Sequence, residues 1–380
     1  MIAGFLMAIV GAMMLAHYAM TLLFLRRLRH DNLSRGVIGH PRITLLRPVC
    51  GLDNFDRETL ASSFLQHYPD YEIIFCAPRE DDAAVSTVRE LIALYPGVKA
   101  RVIFGLDAIS GNPKLNNLFK GWLAATSEWI CMADSNLLLP TNYLQCLVSA
   151  WGPRTGLVTS PAVGIRPQSF GAHVECAFLN GNQARLQFTA DSLGIGFAQG
   201  KTLFWNKAEL ERAGGLRILG GRLAEDVTAT RTVRARGQRV NLTRLPFAQP
   251  LGVRSLRLVW ERQLRWSRVR RDGFPLLFAG EVINGSLLAT GLFALGISAL
   301  GWPVAATVAF LFFWYLPEVL LMKWAQWPCG WKDVAALPVR DLMMPALFAT
   351  TFRQRGIEWR GNPMSIPTTE QTHGVISVPR

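Results

Sequence analysis

The N-terminal segment from Met1 to Leu25 is an apolar run that contains no Asp, Glu, Lys or Arg. As a helix, a run of this length is long enough to cross a hydrocarbon core of ~30 Å. Arg26, Arg27 and Arg29 follow the run, whereas a secretory signal peptide carries its positive charge before the apolar stretch. The order of charge therefore favours a retained transmembrane helix over residues 1–25, and the positive-inside rule predicts that the chain after it lies in the cytoplasm.

The composition also points to a membrane protein. Of the 380 residues, 50% are hydrophobic and 18% are charged, and the formal net charge is +13. A soluble domain usually has about 25% charged residues. The excess of positive charge predicts an anionic partner. Because Arg268, Arg270 and Arg271 also lie directly beside an apolar stretch, that partner is expected to be membrane lipid and not nucleic acid.

Residues 42–271 read as an α/β domain in which short β-rich runs alternate with helical patterns. This alternation predicts right-handed crossovers and a mostly parallel central sheet, and ligands of such sheets bind at the carboxyl ends of the strands. The predicted strands are Ile43 to Leu46, Tyr71 to Cys76, Ala100 to Phe104, Trp129 to Met132 and Gly156 to Thr159. The predicted helices are Glu58 to Gln66, Ala84 to Leu94, Lys114 to Ala125 and Tyr143 to Trp151.

The C-terminal third is apolar again. Two transmembrane helices are predicted over residues 274–322, separated by a Gly-Trp-Pro break after Leu300. The next apolar stretch, residues 334–352, contains Pro338 and Pro345 and precedes a basic cluster. A full crossing would carry that cluster to the outer side, so a re-entrant or interfacial segment is expected. Residues 361–380 are expected to form an irregular tail.

Acidic residues follow the predicted strands at two places, the Glu80-Asp81-Asp82 run and Asp134. Asp134 ends a buried strand and could hold a divalent cation, although an Asp-Ser-Asn sequence is also typical of an Asx turn or a helix cap. Glu225 and Asp226 begin a helical stretch, where they could cap the helix and complement its dipole. Alternatively, one of these two carboxylates could be a general base that removes a proton from a hydroxyl.

A more specific pattern is Arg262-Gln263-Leu264-Arg265-Trp266. On a helix Arg262, Arg265 and Trp266 share one face. Two guanidinium groups beside an indole suit a pyrophosphate together with a stacked sugar or lipid headgroup. The alternative is a juxtamembrane basic helix that only contacts anionic lipid.

These motifs together resemble a known family. An Asp-Asp-Ala run at Asp81, an aspartate after a strand, a Glu-Asp pair and an RxxRW sequence occur in that order. They are similar to the D, D, D, (Q/R)xxRW pattern of the ceramide glucosyltransferases, and most similar to the bacterial ceramide glycosyltransferases. Further matching segments are Arg47 to Asp53, Asn112 to Leu118, Gly196 to Lys201 and Glu358 to Arg360.

The resemblance implies an inverting GT-A glycosyltransferase, attached to the bacterial inner membrane, that transfers a sugar from a UDP-sugar to ceramide, with glucose as the expected sugar. It implies Asp226 as the catalytic base with Glu225 shaping its surroundings. Asp82, with Asp81, would contact the nucleotide, and Lys114 would contact a phosphate or the uridine. Asp134 would hold Mg2+ or Mn2+ on the diphosphate. Arg262, Arg265 and Trp266 would bind the pyrophosphate and border the acceptor site. No obligate protein partner is implied.

One position departs from the pattern, because many GT-A enzymes have a second carboxylate two residues after the metal-binding Asp and this chain has Asn136 there. Three other hypotheses remain open on the sequence. The chain could be a processive polysaccharide synthase, although its few apolar segments look insufficient for a channel. It could be a non-catalytic adaptor that binds anionic lipid. It could also use a hopanoid, sterol or diacylglycerol as acceptor.

Overall fold

The computed structural model describes residues 1–29, 38–221, 224–281, 283–353, 357–359 and 362–364. The chain forms two compact units, and each consists of several stretches of sequence. The sheet unit comprises residues 34–160, 197–243 and 356–380, and the helical unit comprises residues 1–33, 161–196 and 244–355. The segments 161–196 and 244–271, expected to lie in one continuous domain with residues 42–160, thus belong to the same unit as the apolar helices.

A seven-stranded sheet with the strand order β3-β2-β1-β4-β7-β5-β8 forms the centre of the sheet unit. Strands β1, β2, β3 and β4 pair in parallel, whereas β7 runs antiparallel to both of its neighbours. The strands are β1 (Ile43–Pro48), β2 (Tyr71–Ala77), β3 (Lys99–Phe104), β4 (Trp129–Ala133), β5 (Thr155–Thr159), β7 (Thr202–Asn206) and β8 (Arg239–Leu242). Every residue of β4 is buried, as expected for a central strand that is covered on both faces.

Helices connect these strands, and their caps explain where they begin. The helices of the unit are α2 (Asp56–Ala61), α3 (Ala83–Leu94), α4 (Pro113–Ala124), α5 (Tyr143–Ser149), α8 (Lys207–Glu211), α9 (Gly215–Ile218) and α10 (Glu225–Ala235). Helix α4 begins where Asn112 accepts a hydrogen bond from the Lys114 amide and Pro113 occupies the first turn, a favoured start for a helix. A Cβ added to Gly121 would lie 2.4 Å from Cys76 Sγ, so α4 packs very closely on the sheet.

The helical unit is built around α1 (Ile2–Arg29), which contacts α7 (Arg185–Ser192), α13 (Ser286–Ala299) and α14 (Ala305–Trp324). Its other helices are α6 (Phe170–Cys176), α11 (Leu256–Gly273), α12 (Pro275–Glu281) and α15 (Trp331–Thr351). A short parallel pair, β6 (Ala162–Pro167) and β9 (Phe247–Gly252), belongs to this unit. A π-helical segment, Ala177–Ala184, joins α6 to α7 without a break.

Charged groups are buried among these apolar helices. The Arg340 guanidinium donates to both Glu318 oxygens, at 2.7 and 3.0 Å, and Arg185 lies 3.6 Å from the same carboxylate. His17 contacts the Trp314 carbonyl at 2.9 Å. Because an unpaired charge in an apolar interior is costly, the mutual pairing of these groups is what permits α1, α7, α14 and α15 to pack together.

Two helices, Ile2–Arg29 and Ala305–Trp324, are long and apolar enough to cross a membrane, and Ser286–Ala299 is a shorter apolar helix. These helices favour membrane association. The segment expected to run unbroken from Phe274 to Leu300 consists of two helices, α12 and α13. The stretch expected to be re-entrant or interfacial lies in the single helix α15, which contains both prolines.

The five predicted strands and the four predicted helices are found. The first helix, expected to reach Gln66, ends at Ala61 and is followed by a 3-10 turn, Ser62–Phe64, whereas all other ends lie within two residues of those expected. The GT-A fold class with a mostly parallel sheet is confirmed. Strands β7 and β8, which extend the sheet beyond β4, are additional to the sequence prediction. Of the expected irregular tail, the described residues 362–364 form a strand that pairs with residues 357–359, and the rest lies outside the described residues.

Candidate active site

The sheet unit brings together four of the charged residues singled out in the sequence. The Lys114 ammonium, on the first turn of α4, lies 2.7 Å from Asp134 Oδ1 and 2.8 Å from Glu225 Oε1, and it also donates to the Gly200 carbonyl. Asp226 Oδ2 accepts a hydrogen bond from the Gly200 amide at 3.1 Å. Four separate segments of the chain, all in one unit, therefore meet at the carboxyl end of β4.

Lys114 is the cation that holds this group of charges together. Burial acts to lower the pKa of Lys114, but Asp134 and Glu225 outweigh it and raise the pKa above its ordinary value. Burial likewise acts to raise the pKa of Asp134, and the attraction of Lys114 and Lys201 reverses the effect, so that this pKa is lowered. Both partners are therefore charged at neutral pH.

Glu225 is fixed from two sides. Its Oε2 accepts a hydrogen bond from the Asn112 side chain at 2.8 Å, and its Oε1 accepts one from Lys114. A Cβ at Gly200 would lie 2.6 Å from Glu225 Oε1, so only a glycine fits between the carboxylate and the backbone. Because the Glu225 carboxylate is buried and bonded to Lys114 and Asn112, it suits a role in holding the neighbouring side chains in place.

Asp226 has a different environment. Burial and the negative charge of Glu225 raise its pKa to about 7, although the amide groups of Gly200 and Val227 act in the opposite direction. A carboxylate with a pKa near the working pH is an effective general base, since it is partly ionised and still basic enough to accept a proton. The raised pKa of Asp226, together with its half-buried position, distinguishes this side chain from its neighbour Glu225.

The Asp-Asp-Ala run does not join this group of charges. The Asp82 carboxylate caps α3 through the Ala84 amide at 2.9 Å, and both of its oxygens accept from the Gly51 amide, at 2.9 and 3.0 Å. Asp82 thereby holds the loop that follows β1. Asp81 is exposed and pairs with Arg79 at 3.0 Å.

The RxxRW residues lie on α11 in the helical unit. The Arg262 guanidinium lies over the Trp266 ring, 5.4 Å from its centroid, as expected for residues one turn apart on a helix. Trp266 packs against a buried apolar group on α6, the π-helical segment and β9, and Arg265 is half-buried. The helical face predicted from the sequence spacing is therefore present.

Among the described residues, no group of three His, Cys, Asp or Glu side chains could surround a metal ion. Near β4 the candidate ligands are the Asp134 carboxylate and the Asn136 side-chain oxygen, and Lys201 Nζ lies 3.4 Å from the latter. One carboxylate fits a hard divalent cation only if a diphosphate and water supply most of the oxygen ligands. The donor set is thus compatible with a cation that arrives with its nucleotide.

Two residues of the site begin segments that resemble the family, but the sequence assigned no role to either of them. Arg47, at the end of β1, is fully buried and donates to the carbonyls of Thr59, Ser135 and Leu137 at 2.8 to 3.2 Å. It thereby fixes the turn that follows Asp134. Asn112 could have been recognised as the cap before Pro113, but its bond to Glu225 joins two segments that are distant in the sequence.

Comparisons with known proteins show glycosyltransferases that are similar to this chain in sequence or in fold. Ceramide glucosyltransferase 1 of Caenorhabditis elegans is 26% identical over 86% of this chain and 72% of its own length. Ceramide glucosyltransferase 3 of the same organism is 25% identical over 85% of this chain and 72% of its own length. A mannosyltransferase from Pyrobaculum calidifontis, solved with GDP-Man and Mn2+, shares the fold with a TM-score of 0.50 and 18% identity, over 89% of this chain and 99% of its own.

The match to a protein family is more extensive than any of these. Residues 4–372 match the family described as Glycosyl transferase family 21, which includes almost the whole chain and therefore both units. The chain belongs to glycosyltransferase family 21.

Proposed function

We propose that this enzyme transfers a sugar, with glucose as the best candidate, from a UDP-sugar to the hydroxyl group of ceramide, with inversion at the anomeric carbon. The observation that carries the proposal is Asp226, a carboxylate with a raised pKa beside the ion-paired group of Lys114, Asp134 and Glu225. The relatives named ceramide glucosyltransferases support ceramide as the acceptor and glucose as the sugar.

In the proposed reaction, Asp226 accepts the proton of the acceptor hydroxyl. The hydroxyl oxygen forms a bond to the anomeric carbon while the bond from that carbon to the diphosphate oxygen breaks and UDP leaves with the electron pair. Because only one displacement occurs, the configuration at the anomeric carbon inverts. Glu225 pairs with Lys114 at 2.8 Å, and its negative charge helps to raise the pKa of Asp226, which makes Asp226 basic enough to accept the proton.

The departing diphosphate needs positive charge. Lys114 is a cation within hydrogen-bond distance of Asp134, and Arg262 and Arg265 of the RxxRW motif supply guanidinium groups suited to a pyrophosphate. A divalent cation, Mg2+ or Mn2+, held by Asp134 would neutralise part of the leaving-group charge. Such preorganised charges contribute strongly where water is excluded. Asp82 orders the loop after β1, on which the nucleotide would rest, and Trp266 would border the acceptor.

The basic residues at the end of α1 support, by the positive-inside rule, a cytoplasmic location for the catalytic unit, and the bacterial inner membrane is the proposed location. A lipid acceptor would reach the site from this membrane. Anionic lipid headgroups are the proposed partners of the juxtamembrane arginines.

The proposal is tested with membranes that contain the enzyme, incubated with a panel of UDP-sugars and candidate lipids. The expected product, identified by mass spectrometry, is ceramide carrying one hexose in β linkage. The Asp226→Asn variant should remain in the membrane and lose transfer. A product with several sugars would indicate a polysaccharide synthase, and product on a hopanoid, sterol or diacylglycerol alone would contradict the ceramide assignment. Full turnover by Asp226→Asn would remove that residue from the base role.

A further inference from the structure

Glu175 is a fully buried carboxylate on α6 of the helical unit, and the reaction proposed above gives it no role. Its side chain has no exposed surface, its Oε1 lies 3.1 Å from Arg262 Nε, and its Oε2 lies 3.9 Å from Arg254 Nε. An ionised carboxylate in such a place requires cationic neighbours. The closer of these two arginines is Arg262, the first arginine of the RxxRW motif.

Helix α6 is itself fixed against the chain that leads into α11. The Ser169 hydroxyl, which caps α6, donates to the Arg254 carbonyl at 2.7 Å and accepts from the Arg254 amide at 2.8 Å. A Cβ at Gly171 would lie 2.3 Å from the Arg254 carbonyl oxygen, so the two backbones touch at this point. Glu175 therefore presents its carboxylate to α11 from a rigid support.

The same helix also supports the aromatic end of the motif. Trp266 packs against Ala172 and Cys176 of α6, and the Arg262 guanidinium lies over the Trp266 ring. Arg262 is thus held between the Glu175 carboxylate, 3.1 Å from its Nε, and the Trp266 indole. A guanidinium group held in one place in this way is suited to bidentate contact with phosphate oxygens.

We infer that Glu175 is a positioning residue that fixes Arg262 of the RxxRW motif in the orientation needed to bind the diphosphate of the sugar donor. This inference rests on the proposed function, since it assumes that Arg262 meets a diphosphate. Glu175 touches neither substrate, and its effect on the reaction passes through Arg262. Without the carboxylate, the long arginine side chain regains alternative rotamers and pairs less well with the donor.

The test compares Glu175→Gln, which keeps the shape and removes the charge, with Glu261→Gln as a matched control. Glu261 is the neighbour of Arg262 in sequence, but it is exposed and pairs with the exposed Arg257 at 2.9 Å. For Glu175→Gln we expect kcat/KM for the UDP-sugar to fall by about tenfold to a hundredfold, with the KM for the donor and the inhibition constant of UDP both raised. The KM for the lipid should stay unchanged, and Glu261→Gln should behave as the wild type.

The double variant Glu175→Gln with Arg262→Gln separates positioning from folding. It removes both members of this ion pair, so Arg262 is not left in the interior without its carboxylate even if Glu175→Gln alone fails to fold. If Glu175 acts through Arg262, the double variant should be no less active than Arg262→Gln alone.

Either of two results would overturn the inference: a wild-type UDP inhibition constant in folded Glu175→Gln, or a double variant markedly less active than Arg262→Gln. If the wild-type enzyme itself transfers no sugar from any UDP-sugar, the proposed function fails. That failure is recognised before any variant is measured.

Discussion

The raised pKa of Asp226 makes a quantitative prediction about the pH dependence of turnover. With a pKa of about 7, about half of the Asp226 side chains are ionised at pH 7 and about a tenth at pH 6. The base must be ionised to accept a proton, so kcat/KM should rise about fivefold from pH 6 to pH 7 and level off above pH 8. An aspartate with its ordinary pKa would give a flat profile over this range.

The Glu225→Gln variant tests the cause of this shift. Burial is the larger cause and remains in the variant, but the negative charge of Glu225, the second cause, is removed. The pKa of Asp226 should therefore fall, by on the order of one unit for the loss of a neighbouring like charge. The acidic limb of the pH profile should shift to lower pH by the same amount, so that the variant at pH 6 retains about half of its own maximal rate.

The assay is initial-rate transfer from the UDP-sugar to ceramide between pH 5.5 and 9, with each variant normalised to its plateau. Glu90→Gln is a suitable control, because Glu90 is exposed and pairs with Arg57 at the surface, and its profile should match the wild type. A wild-type profile that is flat from pH 6 to pH 8, or a limb that does not move in Glu225→Gln, would refute the reasoning.

Three further predictions concern charge and packing. Lys114→Met leaves the buried Glu225 and the partly buried Asp134 without the cation that they share and should lower the free energy of unfolding by about 3–5 kcal/mol. Thermal denaturation in detergent should show this loss, whereas the exposed Lys99→Met should stay close to the wild type. Asp134→Asn should raise the Mn2+ concentration for half-maximal turnover by about tenfold or more, and an unchanged requirement would show that the cation binds elsewhere. Gly171→Ala places a methyl group against a backbone carbonyl and should cost about 1–3 kcal/mol. Gly11→Ala, with nothing within 4 Å, should cost nothing measurable, and equal melting temperatures for the two would contradict the packing described.

The sequence was most informative where local patterns determine structure. Strands β1 to β5 are apolar runs separated by helical periodicity, and such βα units follow from periodicity and chirality alone. The antiparallel strand β7 was missed because it pairs with β4, about 70 residues earlier in the sequence, and no local pattern specifies such a partner. The break between α12 and α13 was also missed, since hydropathy averages over a polar turn.

In the candidate site, too, the sequence revealed residues in local motifs but not those whose role depends on distant contacts. Asp134 and Asp226 were identified because an acidic group after a strand or at a helix start is visible in the sequence. Arg47, by contrast, begins a segment that resembles the family but suggests no role for the side chain, and only the fold brings the Thr59 and Leu137 carbonyls to its guanidinium. Glu175 also had no signal, because its partner Arg262 lies far away in the sequence.

The π-helical segment Ala177–Ala184 sets the rotation of α7 relative to α6 about their common helix axis. Each residue advances an α-helix by about 100°, and a π-turn accommodates one residue more than an α-turn. Deleting one residue from this segment would give regular α-helical hydrogen bonding, but it would rotate α7 relative to α6 about the helix axis. Either Glu175 would turn away from Arg262, or Arg185 would turn away from Glu318. Homologues that keep both ion pairs should therefore conserve the length of this segment more strictly than its residue types.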